Sequence, residues 1–200
     1  MFAFLDDSYY LLLKDLAYFG VALAGVIIAG KGLYTWKKQI LWKVEHETAR
    51  RLYKSVLKVR EALGHVRNPA IWPSESAAAE AKYPEVGKST TKAVYYMRWE
   101  KITEAISELD LEQIEAEVLW DNEVVEKLKP LRVCVSKLNI NLSDFLRPPD
   151  QKIRSHRITE DIIYEFKVGN EKDPFSKEID DAVTVLGDFL KPKYRLSDKK

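Results

Sequence analysis

The chain has 200 residues, 32% of them charged and 46% hydrophobic, with a formal net charge of +1. That balance is ordinary for a folded domain and lacks the strong basic field that general nucleic-acid binding requires. A single cysteine, Cys134, excludes an intrachain disulfide.

The first element is also the most informative. Leu16 to Gly30 carries no charge, Tyr34 and Trp36 follow, and Lys37 and Lys38 come next. Fifteen helical residues reach only about 22 Å, short of a hydrocarbon core of about 30 Å. With Lys31 snorkelling, the run to Trp36 reaches about 31 Å and suffices to cross. The expected organisation is a short extracytoplasmic or interfacial N-terminus (1–15), a transmembrane helix (16–36) and a cytoplasmic helical part (37–200). A buried core helix is the competing reading. A cleaved signal peptide is disfavoured, because Asp6 and Asp7 precede the first cation, Lys14.

Orientation follows from the flanks. Lys14 stands alone on one side, whereas Lys37, Lys38, Lys43, Arg50 and Arg51 lie on the other. The positive-inside rule puts the N-terminus outside and the C-terminus in the cytoplasm, at the inner membrane of the cell. Trp36, Lys37, Lys38, Trp42 and Lys43 form the expected membrane interface, with indoles at headgroup level and lysines near anionic lipid. Ala22, Gly25, Ala29 and Gly32 share one helix face at steps of three, four and three. That small-xxx-small pattern permits close packing of two spans.

Ala49, Leu52, Val56, Val59, Leu63 and Val66 step by three and four, so one long helix is expected over roughly 9–66, ending before Asn68-Pro69. The segment 67–87 reads as the main loop, with a short capped turn at Ser74. A second helix is expected from Ser89, with Tyr95, Trp99, Ile102, Ile106 and Leu109 on its core face. After Leu109 the register is expected to shift to Leu111, Ile114 and Val118, with a stop near Asp121-Asn122. The third helix carries Val124, Leu128, Leu131, Val135, Leu138, Leu142 and Phe145, with either a kink at Pro130 or a short helix handing over there to a longer one, and a stop at Pro148-Pro149. A polar linker covers 148–172, in which Ile158–Phe166 fits either helix or edge strand. Asp173 and Pro174 read as N-cap and first residue of a last helix, with Phe175, Ile179, Val183, Leu186 and Leu190 buried until Pro192. A basic tail spans 191–200. Four amphipathic helices predict an all-α protein, a transmembrane helix continuing into an antiparallel bundle.

Signatures of chemistry are sparse. His46-Glu47-Thr48-Ala49-Arg50 resembles the zinc-binding H-E-x-x-H pattern, but Arg50 replaces the second imidazole, so His46 reads as an interfacial or solvent-facing side chain. No Glu precedes a His by three, as di-iron bundles require, and no phosphate-binding glycine loop is present. No metal or cofactor is expected. Cys134 reads as a small core residue rather than a nucleophile. Glu100, Glu104, Glu108 and Glu112 form an acidic stripe expected to meet Arg51, Lys54 and Lys58. Trp99, Trp120, Tyr95 and Tyr96 leave room for a small-molecule pocket, although core packing is the simpler reading.

The expectation is a non-enzymatic single-pass scaffold in the lipid bilayer, forming a homo-oligomer or recruiting a cytoplasmic protein partner, with no nucleic acid. Leu52, Val56, Leu63, Leu131, Val135, Leu138 and Leu142 are the residues expected to mediate bundle formation and self-association, through coiled-coil contacts. The alternative is a membrane-perturbing effector, pore-forming or depolarising, triggered by oligomerisation.

Overall fold

The structure, a computed structural model, describes residues 3–86, 89–148, 151, 156–165, 167–168 and 171–194. The protein is helical: α1 (Ala3–Arg67), α2 (Pro73–Lys82), α3 (Thr90–Trp120), α4 (Glu123–Phe145), α5 (His156–Ile163) and α6 (Pro174–Tyr194). A short 3-10 turn at Pro84–Val86 lies between α2 and α3, and a two-residue antiparallel ladder pairs Lys167–Val168 with Glu171–Lys172. The chain divides into two compact units, Met1–Val44 and Glu45–Lys200, and α1 contributes to both.

In the first unit every described side chain from Tyr9 to Val44 is exposed. This stretch of α1 is long enough and apolar enough to cross a membrane.

The second unit owns the hydrophobic core. Ala49, Leu52, Val56, Val59, Leu63 and Val66 of α1 are fully buried, so the three-four periodicity marks the inward face. They pack with Tyr95, Ile102 and Leu109 of α3, Leu128, Leu131 and Leu138 of α4, Ile163 of α5, and Phe175, Val183 and Leu190 of α6. A smaller cluster joins Ala79 of α2 to Ala93 and Val94 of α3. Polar contacts run between α1 and α3 from Arg51 to Glu112 and Glu115, from Lys58 to Glu108, and from His65 to Lys101. Between α1 and α6 the Tyr53 ring stacks on that of Tyr194, and Arg67 donates to the Ser176 hydroxyl. A Cβ added at Gly187 of α6 would lie 3.3 Å from the Tyr53 ring, so glycine allows this close approach.

Several local expectations need correction. Ser74 does not cap a short turn: Pro73 opens a ten-residue helix, with Trp72 at the N-cap position and no side-chain cap bond. Proline fits there because the first helical N–H has no intrahelical partner. The register of α3 does not shift after Leu109. Burial continues through Ala116, with Trp120 half-buried against the core, while Leu111, Ile114 and Val118 are exposed. No short helix hands over to a longer one at Pro130, which lies inside the single helix α4, and α6 runs past Pro192 to Tyr194. The ambiguous segment forms helix α5 as far as Ile163; Phe166, Pro149 and the tail beyond Tyr194 lie outside the described residues.

Two helix junctions have distinct causes. Asp173 caps α6, its carboxylate accepting from the Ser176 backbone N–H at 3.0 Å. Asp121 ends α3 with φ 51 and ψ −151, a conformation that favours glycine. Asp121→Gly is therefore expected to stabilise the second unit by about 1 kcal/mol, read as a higher urea midpoint at unchanged slope.

Two buried arginines hold the irregular segments. Arg67, 1% exposed, donates to the carbonyls of Ile162 (2.7 Å) and Tyr164 (2.9 Å), the Ser176 hydroxyl (2.7 Å) and Asp173 (2.8 Å). Its guanidinium also lies 4.9 Å from the centre of the Phe175 ring. Arg98, equally buried, grips Glu75 with two bonds of 2.7 and 2.8 Å and donates to the carbonyls of Asn68 and Ala70. Burial opposes ionisation of Asp173, but bonds from Ser176 and Arg67 outweigh it and hold the carboxyl below its usual range. The Arg98 guanidinium does the same for Glu75. Both carboxyls lose protons more readily when folded, so their contribution is complete above the unfolded value of about 4 and vanishes as pH falls through the folded value. Acid unfolding should thus steepen below about pH 4, and Arg67→Met should flatten that slope while costing about 3–5 kcal/mol at neutral pH, as expected for breaking a buried pair. Chemical denaturation across pH checks both.

Candidate functional site

The residues expected at a membrane interface lie on the exposed surface of the first unit. Trp36, Lys37, Lys38, Trp42 and Lys43 are all exposed, and just before them the Thr35 hydroxyl donates to the Lys31 carbonyl at 2.9 Å. That bond returns the hydroxyl donor to the helix's own backbone. Ala22, Gly25, Ala29 and Gly32 are also exposed, and nothing approaches within 4 Å of a Cβ built at Gly25 or Gly32. The small-residue face is therefore open along its length. At the N-terminal side, the Lys14 ammonium sits 5.7 Å from the centre of the Tyr18 ring. An amphipathic aromatic beside a lysine is a usual arrangement at a lipid headgroup layer.

The residues expected to mediate self-association are placed differently. Leu52, Val56, Leu63, Leu131, Leu138 and Leu142 are buried in the core of a single chain, and Val135 is half-buried against it. Their apolar surface is spent on holding α1, α4 and their neighbours together.

The acidic stripe of α3 does face the basic stripe of α1 in part. Glu108 pairs with Lys58, and Glu112 and Glu115 pair with Arg51. Glu100 turns away to Lys82 and the Tyr83 hydroxyl. The hydrogen bond to Glu100 pushes the Tyr83 phenol up to about 12. Glu104 instead lines a groove of about 560 Å³ between α1 and α3, with Lys58, Glu61, His65 and Lys101. There the Lys101 ammonium lies 3.2 Å from His65 Nε2, and burial together with Lys101 lowers the His65 pKa. A neutral imidazole accepting from the ammonium satisfies that geometry.

The four aromatics do not form one pocket. Tyr96 and Trp99 line a groove of about 380 Å³ with Lys92, Asn139 and Leu142. Tyr95 is buried edge-on against Phe145, and Trp120 packs edge-on against Phe189. Cys134 is buried, and burial pushes its thiol up to about 11, which disfavours a nucleophilic thiolate. His46 is half-buried on α1. Among the described residues no group of three His, Cys, Asp or Glu side chains converges as a metal site would require.

Arg67 and Arg98 were not anticipated, yet Arg98 left a readable signal. It stands between Tyr95 and Ile102 at steps of three and four, so a cation occupies an inward position of α3. Arg67 follows Leu63 by four in the same way on α1. A charge on a core face must find a partner or pay a large desolvation penalty. No family model, curated protein or solved structure matches this chain.

Proposed function

We propose that this chain is a non-enzymatic, single-pass membrane protein whose helical part serves assembly or the recruitment of a protein partner. The observation that carries the reading is the contrast between the two units. Residues 9–44 are exposed, and within them Leu16–Gly30 presents an uncharged, largely apolar surface, whereas residues 45–200 bury a core of their own. Fifteen uncharged residues exposed to water carry a large hydrophobic penalty that a bilayer removes. A core helix of a soluble protein would bury such a stretch, and none of the apolar window here is buried.

The flanking charges favour an N-terminus outside and the helical unit in the cytoplasm. The order of contacts, rising along α1 from 51 to 65 while falling along α3 from 115 to 101, supports an antiparallel bundle. Between copies, the open face at Ala22, Gly25, Ala29 and Gly32 is the proposed self-association surface, because small residues let two spans approach closely.

The test uses the full-length chain. It should float with phosphatidylcholine vesicles and resist extraction by alkaline carbonate; a chain that stays monodisperse in plain buffer and does not float overturns the reading. In sealed cells external protease should leave residues 45–200 intact. In detergent, Gly25→Leu should shift the chain from oligomer to monomer by light scattering, with the helical circular dichroism unchanged. Dye leakage from vesicles on oligomerisation would point instead to membrane perturbation.

A further inference from the structure

From Ile102 to Glu126 the chain contains nine acidic residues and no lysine or arginine. Within that stretch α3 turns three large apolar side chains to solvent, with Leu111 67%, Ile114 62% and Val118 81% exposed. Their steps of three and four place them on one strip of the helix. The strip lies opposite Leu109 and Ala116, which face the core. Further back on the same outer face stand Glu100, Thr103 and Ser107, so the strip is a local change of character and not the ordinary surface of α3.

We propose that this strip is the docking surface for a basic amphipathic helix of a partner protein, an inference that rests on the partner-recruitment reading above. The occupant follows from charge. Asp110, Glu115 and Asp121 each stand three or four residues from a member of the strip, on its two edges. Arg132 meets Asp110 and Arg51 meets Glu115, but Glu117, which accepts from the neutral Gln113 amide, and Asp121 keep the flanks negative. The C-terminal end of α3, where Val118 lies, adds the negative pole of the helix dipole. A second copy presenting the same strip would set acid against acid, and an anionic lipid surface would be repelled likewise. A helix with leucines at three-four spacing and lysines or arginines on both sides meets the apolar and the electrostatic demand together, as in heptad pairing where flanking charges select the partner.

The experiment uses the full chain reconstituted in phosphatidylcholine nanodiscs. Two synthetic helical peptides are titrated by fluorescence anisotropy, one with leucines at alternating steps of three and four flanked by lysines, the other with glutamates in place of the lysines. The lysine peptide should bind and the glutamate peptide should not. Ile114→Gln combined with Val118→Gln should weaken binding about tenfold or more, as loss of buried branched aliphatics predicts, with unchanged circular dichroism. Equal binding of both peptides, binding indifferent to the double variant, equal binding to empty nanodiscs, or no binding at all overturns the proposal. So does a concentration-dependent doubling of mass abolished by the double variant, which would assign the strip to a second copy. Vesicle flotation separates the two readings: a chain that floats but ignores the peptide loses only the docking strip, and one that binds the peptide without floating loses only the anchor.

Discussion

The helical unit depends on where one guanidinium goes. Helices end with carbonyl groups that have no partner in the helix, and a buried end must find donors elsewhere. Arg67, at the last position of α1, supplies them to the end of α5 through the carbonyls of Ile162 and Tyr164. The same side chain pairs with Asp173, the cap of α6. One residue thereby closes two helix termini more than ninety positions away in the chain. Arg98 performs the parallel task for the connection between α1 and α2, holding the carbonyls of Asn68 and Ala70 and both oxygens of Glu75. Arginine suits both places because its planar group carries five donors in fixed directions. The arrangement has a cost: a buried cation is tolerable only while all its acceptors stay in place, so these junctions fail together rather than piecemeal.

How much of this was legible from residues alone follows from that division of labour. The inward faces of α1, α4 and α6 could be read because each is a regular stripe of Leu, Val, Ile and Phe, and all six positions read on α1 between Ala49 and Val66 are buried. The start of α6 could be read because Asp173-Pro174 carries its own local chemistry. The outward run on α3 misled, since Leu111, Ile114 and Val118 have the spacing of a core stripe. Periodicity identifies a face but not which side of it is inside; Ala116, small and inconspicuous, is the residue that holds the true register. The arginine junctions were missed because several of their partners are backbone carbonyls, which any sequence supplies everywhere, and the carboxylates of Glu75 and Asp173 lie far from Arg98 and Arg67 in the chain.

Charge in the second unit is segregated, not mixed. The cations of α1 face the first half of the acidic stretch of α3, and Arg132 of α4 answers Asp110 from the other side. Exposed pairs of this kind contribute about 0.2–1 kcal/mol each, so they align the helices without holding them. The apolar core does the holding. The open small-residue face of the first unit and the apolar strip of the second differ in what surrounds them, one uncharged and one acid-flanked. Under the proposals above they suit different companions: a close copy in hydrocarbon, and a cationic helix in water.

Gly187 shows how little material sets a helix spacing. A glycine inside a helix is less favourable than alanine by about 1 kcal/mol, yet it occupies a buried position of α6 where a methyl group would crowd the ring of Tyr53. That ring in turn stacks on Tyr194 at the end of the same helix, 5.9 Å between centres. The approach of α6 to the Tyr53 ring of α1 is accordingly permitted by one missing carbon. Enlarging that position obliges either the phenol to swing aside or the whole helix to back off, and in both cases the tyrosine pair loosens before any leucine of the interior is disturbed.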